Sequence, residues 1–89
     1  MAYKVEMSES AIRQLGKLDL SAARMILKWL KKNVDGCENP RAHGKSLKGN
    51  LSQYWRYRVG DYRILCTIDD GRLVVQTIRI GHRSAVYDE

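Results

Sequence analysis

Tyr57-Arg58-Val59-Gly60-Asp61-Tyr62-Arg63-Ile64 is the stretch that decides the fold. On either side of Gly60-Asp61, ring and aliphatic side chains alternate with arginines, the period-2 pattern of strands with one buried face. Gly60, as the first residue of a two-residue connection, suits a tight hairpin turn. Working outward, the first strand covers Gln53–Val59 and the second Tyr62–Ile68. Asp69-Asp70-Gly71 is a further turn signal, and Arg72–Ile80 reads as a third strand.

Upstream, Tyr3–Met7 alternates as a short strand, with Tyr3, Val5 and Met7 on one face and Lys4 and Glu6 on the other. Ser8 is placed to cap a helix, and Glu9 in its first turn favours the positive end of the dipole. Ala11, Ile12, Leu15 and Leu18 recur at helical spacing, while Gly16 weakens the helix end. Asp19 or Ser21 starts a second helix, with Ala22, Ile26, Trp29 and Leu30 as its inward stripe, flanked by Ala23, Leu27 and Val34. Arg24, Lys28, Lys31 and Lys32 lie opposite and read as a solvated face. Residues 35–52 hold three glycines and the only proline and read as a long loop of the kind that carries function. The expected architecture is α+β: an N-terminal strand and a helical hairpin packed on one face of a mainly antiparallel sheet. One domain spanning residues 1–89 is expected, because two cores would leave each half too short to be stable.

Sixteen Lys and Arg against ten Asp and Glu give a formal charge of +6. The excess lies mainly in the second half: residues 1–40 hold seven basic and five acidic side chains, residues 41–89 nine and five. Arg41, Lys45, Lys48, Arg56 and Arg58 follow one another with no acid between them, interleaved with Tyr54, Trp55 and Tyr57. Cations neutralise phosphates and ring faces stack on bases, so the pattern points to nucleic acid. Tyr54 is the candidate stacking ring, whereas Trp55 is expected in the core. No apolar run approaches the roughly 18–20 residues of a membrane span, and the N-terminus lacks a signal peptide's apolar stretch. Cys37 and Cys66 form no CxxC pair, so neither a disulfide scaffold nor a cysteine–zinc cluster is expected, and a reduced cytoplasm is the default.

Strand alternation sorts the cations. Trp55, Tyr57 and Val59 share one face of their strand, and Tyr54, Arg56 and Arg58 the other. In the next strand Tyr62, Ile64, Cys66 and Ile68 oppose Arg63, Leu65 and Thr67. If the apolar sets meet the helices, Arg56, Arg58 and Arg63 converge on the open face, with Arg79 and Arg83 in reach. Like charges brought together repel, so such a cluster is hard to explain as a solubility device. No GxxxxGK[ST], GxGxxG, HExxH or GxSxG motif is present, which leaves P-loop, dinucleotide, zincin and serine-hydrolase chemistry without support. His43 and His82 have no carboxylate at ligand spacing, and neither a metal nor another cofactor is expected.

Three segments together resemble the bacterial RelE/ParE toxin superfamily: Tyr57–Ile64, then Ile78-Arg79-Ile80-Gly81-His82-Arg83, then Val86-Tyr87. Leu47-Lys48-Gly49 ahead of the strands and the two helices behind a short strand are similar too, so the resemblance covers essentially the whole chain. It implies a RelE-like, microbial-ribonuclease-like fold and two possible activities. RelE-like members are ribosome-dependent endoribonucleases that cut mRNA in the decoding site without a metal, by attack of the ribose 2′-hydroxyl on the adjacent phosphate. ParE-like members share the fold and poison DNA gyrase. Both are neutralised by a cognate antitoxin protein, in a bacterial or archaeal cytoplasm.

The resemblance carries the family's catalytic arginine onto Arg63, its second arginine onto Arg83 and its C-terminal tyrosine onto Tyr87. A basic pair, lysines in some members, falls on or near Arg56 and Arg58. That is a departure, because an arginine stays protonated and can only donate hydrogen bonds and charge. The chemistry suits these residue types: forked guanidiniums can hold a scissile phosphate, and Tyr87 or His82 is left to move protons. Arg41, Lys45, Lys48, Tyr54, Arg58 and Arg79 complete the set expected to bind RNA. The expected partners are the antitoxin, as a toxin–antitoxin heteromer, and the ribosome with its translated mRNA and ribosomal RNA, with no membrane involved.

Overall fold

A computed structural model of the chain describes residues 1–82. Arg83 and Tyr87 lie outside the described residues. Strand β1 (Lys4–Met7) leads into helices α1 (Glu9–Lys17) and α2 (Leu20–Asn33). The chain then makes a 3₁₀ turn at Pro40–Ala42, strand β2 (Lys45–Ser46) and a second 3₁₀ turn at Gly49–Leu51. Strands β3 (Trp55–Val59), β4 (Tyr62–Asp69) and β5 (Val74–His82) follow. The sheet order is β1-β5-β4-β3-β2, antiparallel throughout except where β1 lies parallel to β5. The expected α+β layout with its helical hairpin is the one found.

Local chemistry sets the helix limits. The Ser8 hydroxyl accepts from the Ala11 N–H at 3.0 Å and donates to the Ile78 carbonyl at 3.1 Å, so one cap also pins α1 to β5. Asp19, rather than Ser21, caps α2, its carboxylate accepting from the Ala22 N–H at 2.8 Å. The third strand begins at Val74 rather than Arg72. Asp69 accepts from the Arg72 N–H, and Leu73 takes a left-handed φ of 56°, so the turn runs over residues 70–73 instead of 69–71.

Residues 35–52 are more structured than an open loop. Tyr57, fully buried in β3, donates its hydroxyl to the Pro40 carbonyl at 2.5 Å. The Trp55 indole N–H donates to the His43 carbonyl at 2.8 Å. These two bonds draw the segment across the sheet edge and let Lys45 and Ser46 pair with Arg56 and Trp55.

Ala11, Ile26, Leu30 and Val34 of the helical layer and its C-terminal end pack on Tyr57, Val59, Ile64, Cys66, Val75 and Ile80 of the sheet. Ile12 and Leu27 are left exposed. Burial pushes the Cys66 thiol up to about 12, so it stays protonated and serves as a small core side chain. On the other sheet face Leu47 and Leu65 form a second cluster with Leu51 and Tyr54. That face is therefore partly roofed by the segment before β3 and not fully open. No described helix is long and apolar enough to cross a membrane.

Candidate nucleic-acid interface

Strand register brings the cations together. Lys45 pairs with Arg56, Arg56 with Leu65, and Leu65 with Arg79, a row that crosses four strands. In the neighbouring row Arg58 pairs with Arg63, and Arg63 with Gly81. Directly paired residues point to the same side with Cβ atoms about 4.5–5.5 Å apart. Lys45, Arg56, Arg58, Arg63 and Arg79 thus share one face, with Gly81 opposite Arg63 in the ladder.

Arg79 reaches this face only through a bulge. The β4–β5 register shifts between Leu65, which faces Arg79, and Cys66, which faces Thr77. Ile78 is the extra residue. Without it, strict alternation would put Arg79 on the same side as Val75 and Thr77, both fully buried in the core. The same shift sends His82 the other way. It pairs with Tyr62 on the helix side, their ring centroids 6.0 Å apart at 81°.

Burial divides the arginines. Arg58 and Arg79 are exposed, Arg63 is half-buried, and Arg56 is only 8% exposed. Arg56 and Arg63 are thus set deeper in the face than their two exposed neighbours. A cation held that deep presents a fixed donor fork with little rotamer freedom left to lose on binding. Lys48 is exposed at the start of the second 3₁₀ turn, and Tyr54 is half-buried against Leu47 and Leu65. Arg41 is drawn elsewhere. Its guanidinium forks onto Asp70 at 3.0 and 3.1 Å, and the Tyr3 hydroxyl donates to the same carboxylate at 2.6 Å. Arg41 and then Tyr3 hold the Asp70 carboxyl below its usual range, and the bond to Asp70 pushes the Tyr3 phenol up. Among the described residues, no three His, Cys, Asp or Glu side chains cluster as metal ligands.

Gly44 is a position that sequence reasoning passed over. Its φ is +83°, and a Cβ there would lie 2.3 Å from the Arg56 carbonyl oxygen and 2.7 Å from the Trp55 indole nitrogen. Only glycine lets the loop approach β3 closely enough to pair Lys45 with Arg56. Gly44→Ala is expected to cost about 2–5 kcal/mol through backbone strain and overpacking. Urea or thermal unfolding should show a melting point lower by about 10 °C or more, whereas an unchanged melting point would contradict this packing.

A family model described as the ParE toxin of the type II toxin-antitoxin system parDE matches residues 5–87. The chain belongs to the RelE/ParE toxin superfamily. This superfamily member is 34% identical to the toxin RelE of Mycobacterium tuberculosis over 85 residues, covering 96% of this chain and 86% of that protein. It is 36% identical over 92 residues to the mRNA interferase toxin RelE of Escherichia coli K12, covering 100% and 94%. Among solved structures, the toxin–antitoxin complex RelBE2 of Mycobacterium tuberculosis contains a chain that superposes with a TM-score of 0.82 at 28% identity, covering 94% of each. Two helices on a five-stranded mixed sheet are common to this chain and these toxin structures.

Proposed function

We propose that this chain is the toxin of a type II toxin–antitoxin system, a single toxin domain over residues 1–89, and an endoribonuclease that cuts mRNA on the translating ribosome. The observation that carries the reading is the gathering of Lys45, Arg56, Arg58, Arg63 and Arg79 on one sheet face. The name of the Escherichia coli relative, mRNA interferase, supports the substrate, and the antitoxin-bound structures of relatives support a toxin–antitoxin heteromer.

In the proposed reaction the 2′-oxygen attacks the adjacent phosphorus as its proton leaves, and the bond to the 5′-oxygen breaks. The products are a cyclic 2′,3′-phosphate and a 5′-hydroxyl. Negative charge grows on the non-bridging oxygens, where forked guanidiniums from Arg63 and Arg56 are suited to stabilise it. Arg58, Arg79 and Lys45 hold flanking phosphates, with Lys48 and Tyr54 beside them. Arg83 and Tyr87 join the set on the family match, Tyr87 as the proton-transfer group. His82, on the opposite face from Arg79, falls outside the phosphate-holding set. Arg41, committed to Asp70, contributes less charge to RNA than its exposure alone implies.

Induced expression in a bacterium, followed by primer extension on a translated message, tests the class. Discrete cuts that require ongoing translation, suppressed by co-expression of an adjacent antitoxin gene, are expected. An SOS response with intact messages would replace this reading with gyrase poisoning.

A further inference from the structure

The β2 strand covers β3 only at Trp55 and Arg56. Beyond it lies a hollow of about 270 Å³ lined by Trp29, His43, Gly44, Lys45, Arg56 and Arg58. Trp29 also walls a second hollow, of about 430 Å³, in which Lys28 and Lys32 of α2 take part. Among the described residues, no acidic side chain lines either one.

The rings in the first hollow are held in place. Trp29 and His43 meet at 5.6 Å between centroids and 73°, two walls of a corner. Behind Trp29 stands Tyr57, 5.4 Å away and anchored through its hydroxyl to Pro40. The His43 backbone is fixed by the Trp55 indole. A preset aromatic corner beside cations recognises a planar ring joined to phosphates, and the hollow is slightly smaller than the roughly 300–1,000 Å³ of drug-sized ligand sites. It has room for one base.

We infer that this corner is a nucleobase subsite for single-stranded RNA: a base packs against Trp29 and His43 while its flanking phosphates meet Lys45 and Arg58. The inference rests on the RNA-cleaving reading and extends it. The RNA path leaves the arginine face, turns round the edge of β3 and continues toward Lys28 and Lys32.

Tryptophan emission of the intact protein, titrated at low salt with a single-stranded RNA hexamer and with an abasic oligomer of equal charge, tests it. The hexamer should quench the emission and bind about 5- to 150-fold more tightly than the abasic oligomer, the gain from stacking one base. Trp29→Phe should remove most of the quenching. His43→Ala, which keeps the backbone carbonyl that holds Trp55, should weaken the hexamer about 5-fold or more and leave the abasic oligomer unchanged. Equal affinity for the two oligomers, or full quenching in Trp29→Phe, would overturn the subsite. Message cleavage is scored in parallel. Base-dependent quenching without cleavage upholds the subsite and defeats the nuclease reading, whereas cleavage without base-dependent quenching defeats the subsite alone.

Discussion

Arg63→Ala is expected to lower mRNA cleavage on programmed ribosomes by about 10²-fold or more while the fold stands. Arg63 stands in the middle of its row, between Arg58 and Gly81. A fixed guanidinium aimed at a phosphate stabilises charge that appears only in the transition state, so its loss falls on the rate. Stability should respond differently. Arg58 and Arg63 are paired directly across two strands, and like charges so placed repel by a fraction of a kcal/mol, which the substitution relieves. Removing a half-buried side chain works against that gain, and the net change should stay within about 1 kcal/mol. Arg63→Lys keeps the charge but loses the fork, so it should fall between wild type and Ala. The family match leads to the same expectation for Arg83→Ala. Wild-type growth arrest in these Ala variants at matched protein levels would remove the arginines from the reaction.

Tyr87→Phe is expected to lower cleavage by between about 10- and 10⁴-fold with near-unchanged melting, the range for one positioned proton-transfer group. Phe keeps the ring and removes only the oxygen. Arginine cannot exchange a proton near neutrality, so the cationic face needs a group that can. Two other tyrosines are poor candidates. Burial raises the Tyr57 phenol above its ordinary value, and Asp70 raises Tyr3. His82, which the sequence offers alongside Tyr87, stands with Tyr62 on the helix side. His82→Gln should therefore change cleavage little. Full activity in Tyr87→Phe together with a dead His82→Gln would reverse the two roles.

Much of the cationic face was legible from Arg56, Arg58 and Arg63, because residues two apart in a strand share a side and a two-residue turn carries the register into the next strand. Arg79 was legible as a neighbour of that face, but not the means by which it gets there. The bulge at Ile78 has no local signature in a run of β-branched residues, since its position follows from which side chains the core accepts. Leu47 and Leu51 gave little periodic signal. Their role appears once Leu65, facing away from the helices, needs apolar cover.

What the amino-acid order determined by itself is short-range: the cap at Ser8, the turn at Gly60-Asp61, and the side to which the alternating residues of β3 and β4 point. These act within a few residues, where backbone geometry leaves few alternatives. Tertiary structure alone decided the burial of Arg56, the opposite facing of Arg79 and His82, the demand for glycine at position 44, and the corner between Trp29 and His43. Each depends on segments far apart in the chain meeting at van der Waals distance. A close-packed interior sets such contacts by mutual fit, and no pattern within either segment encodes that fit.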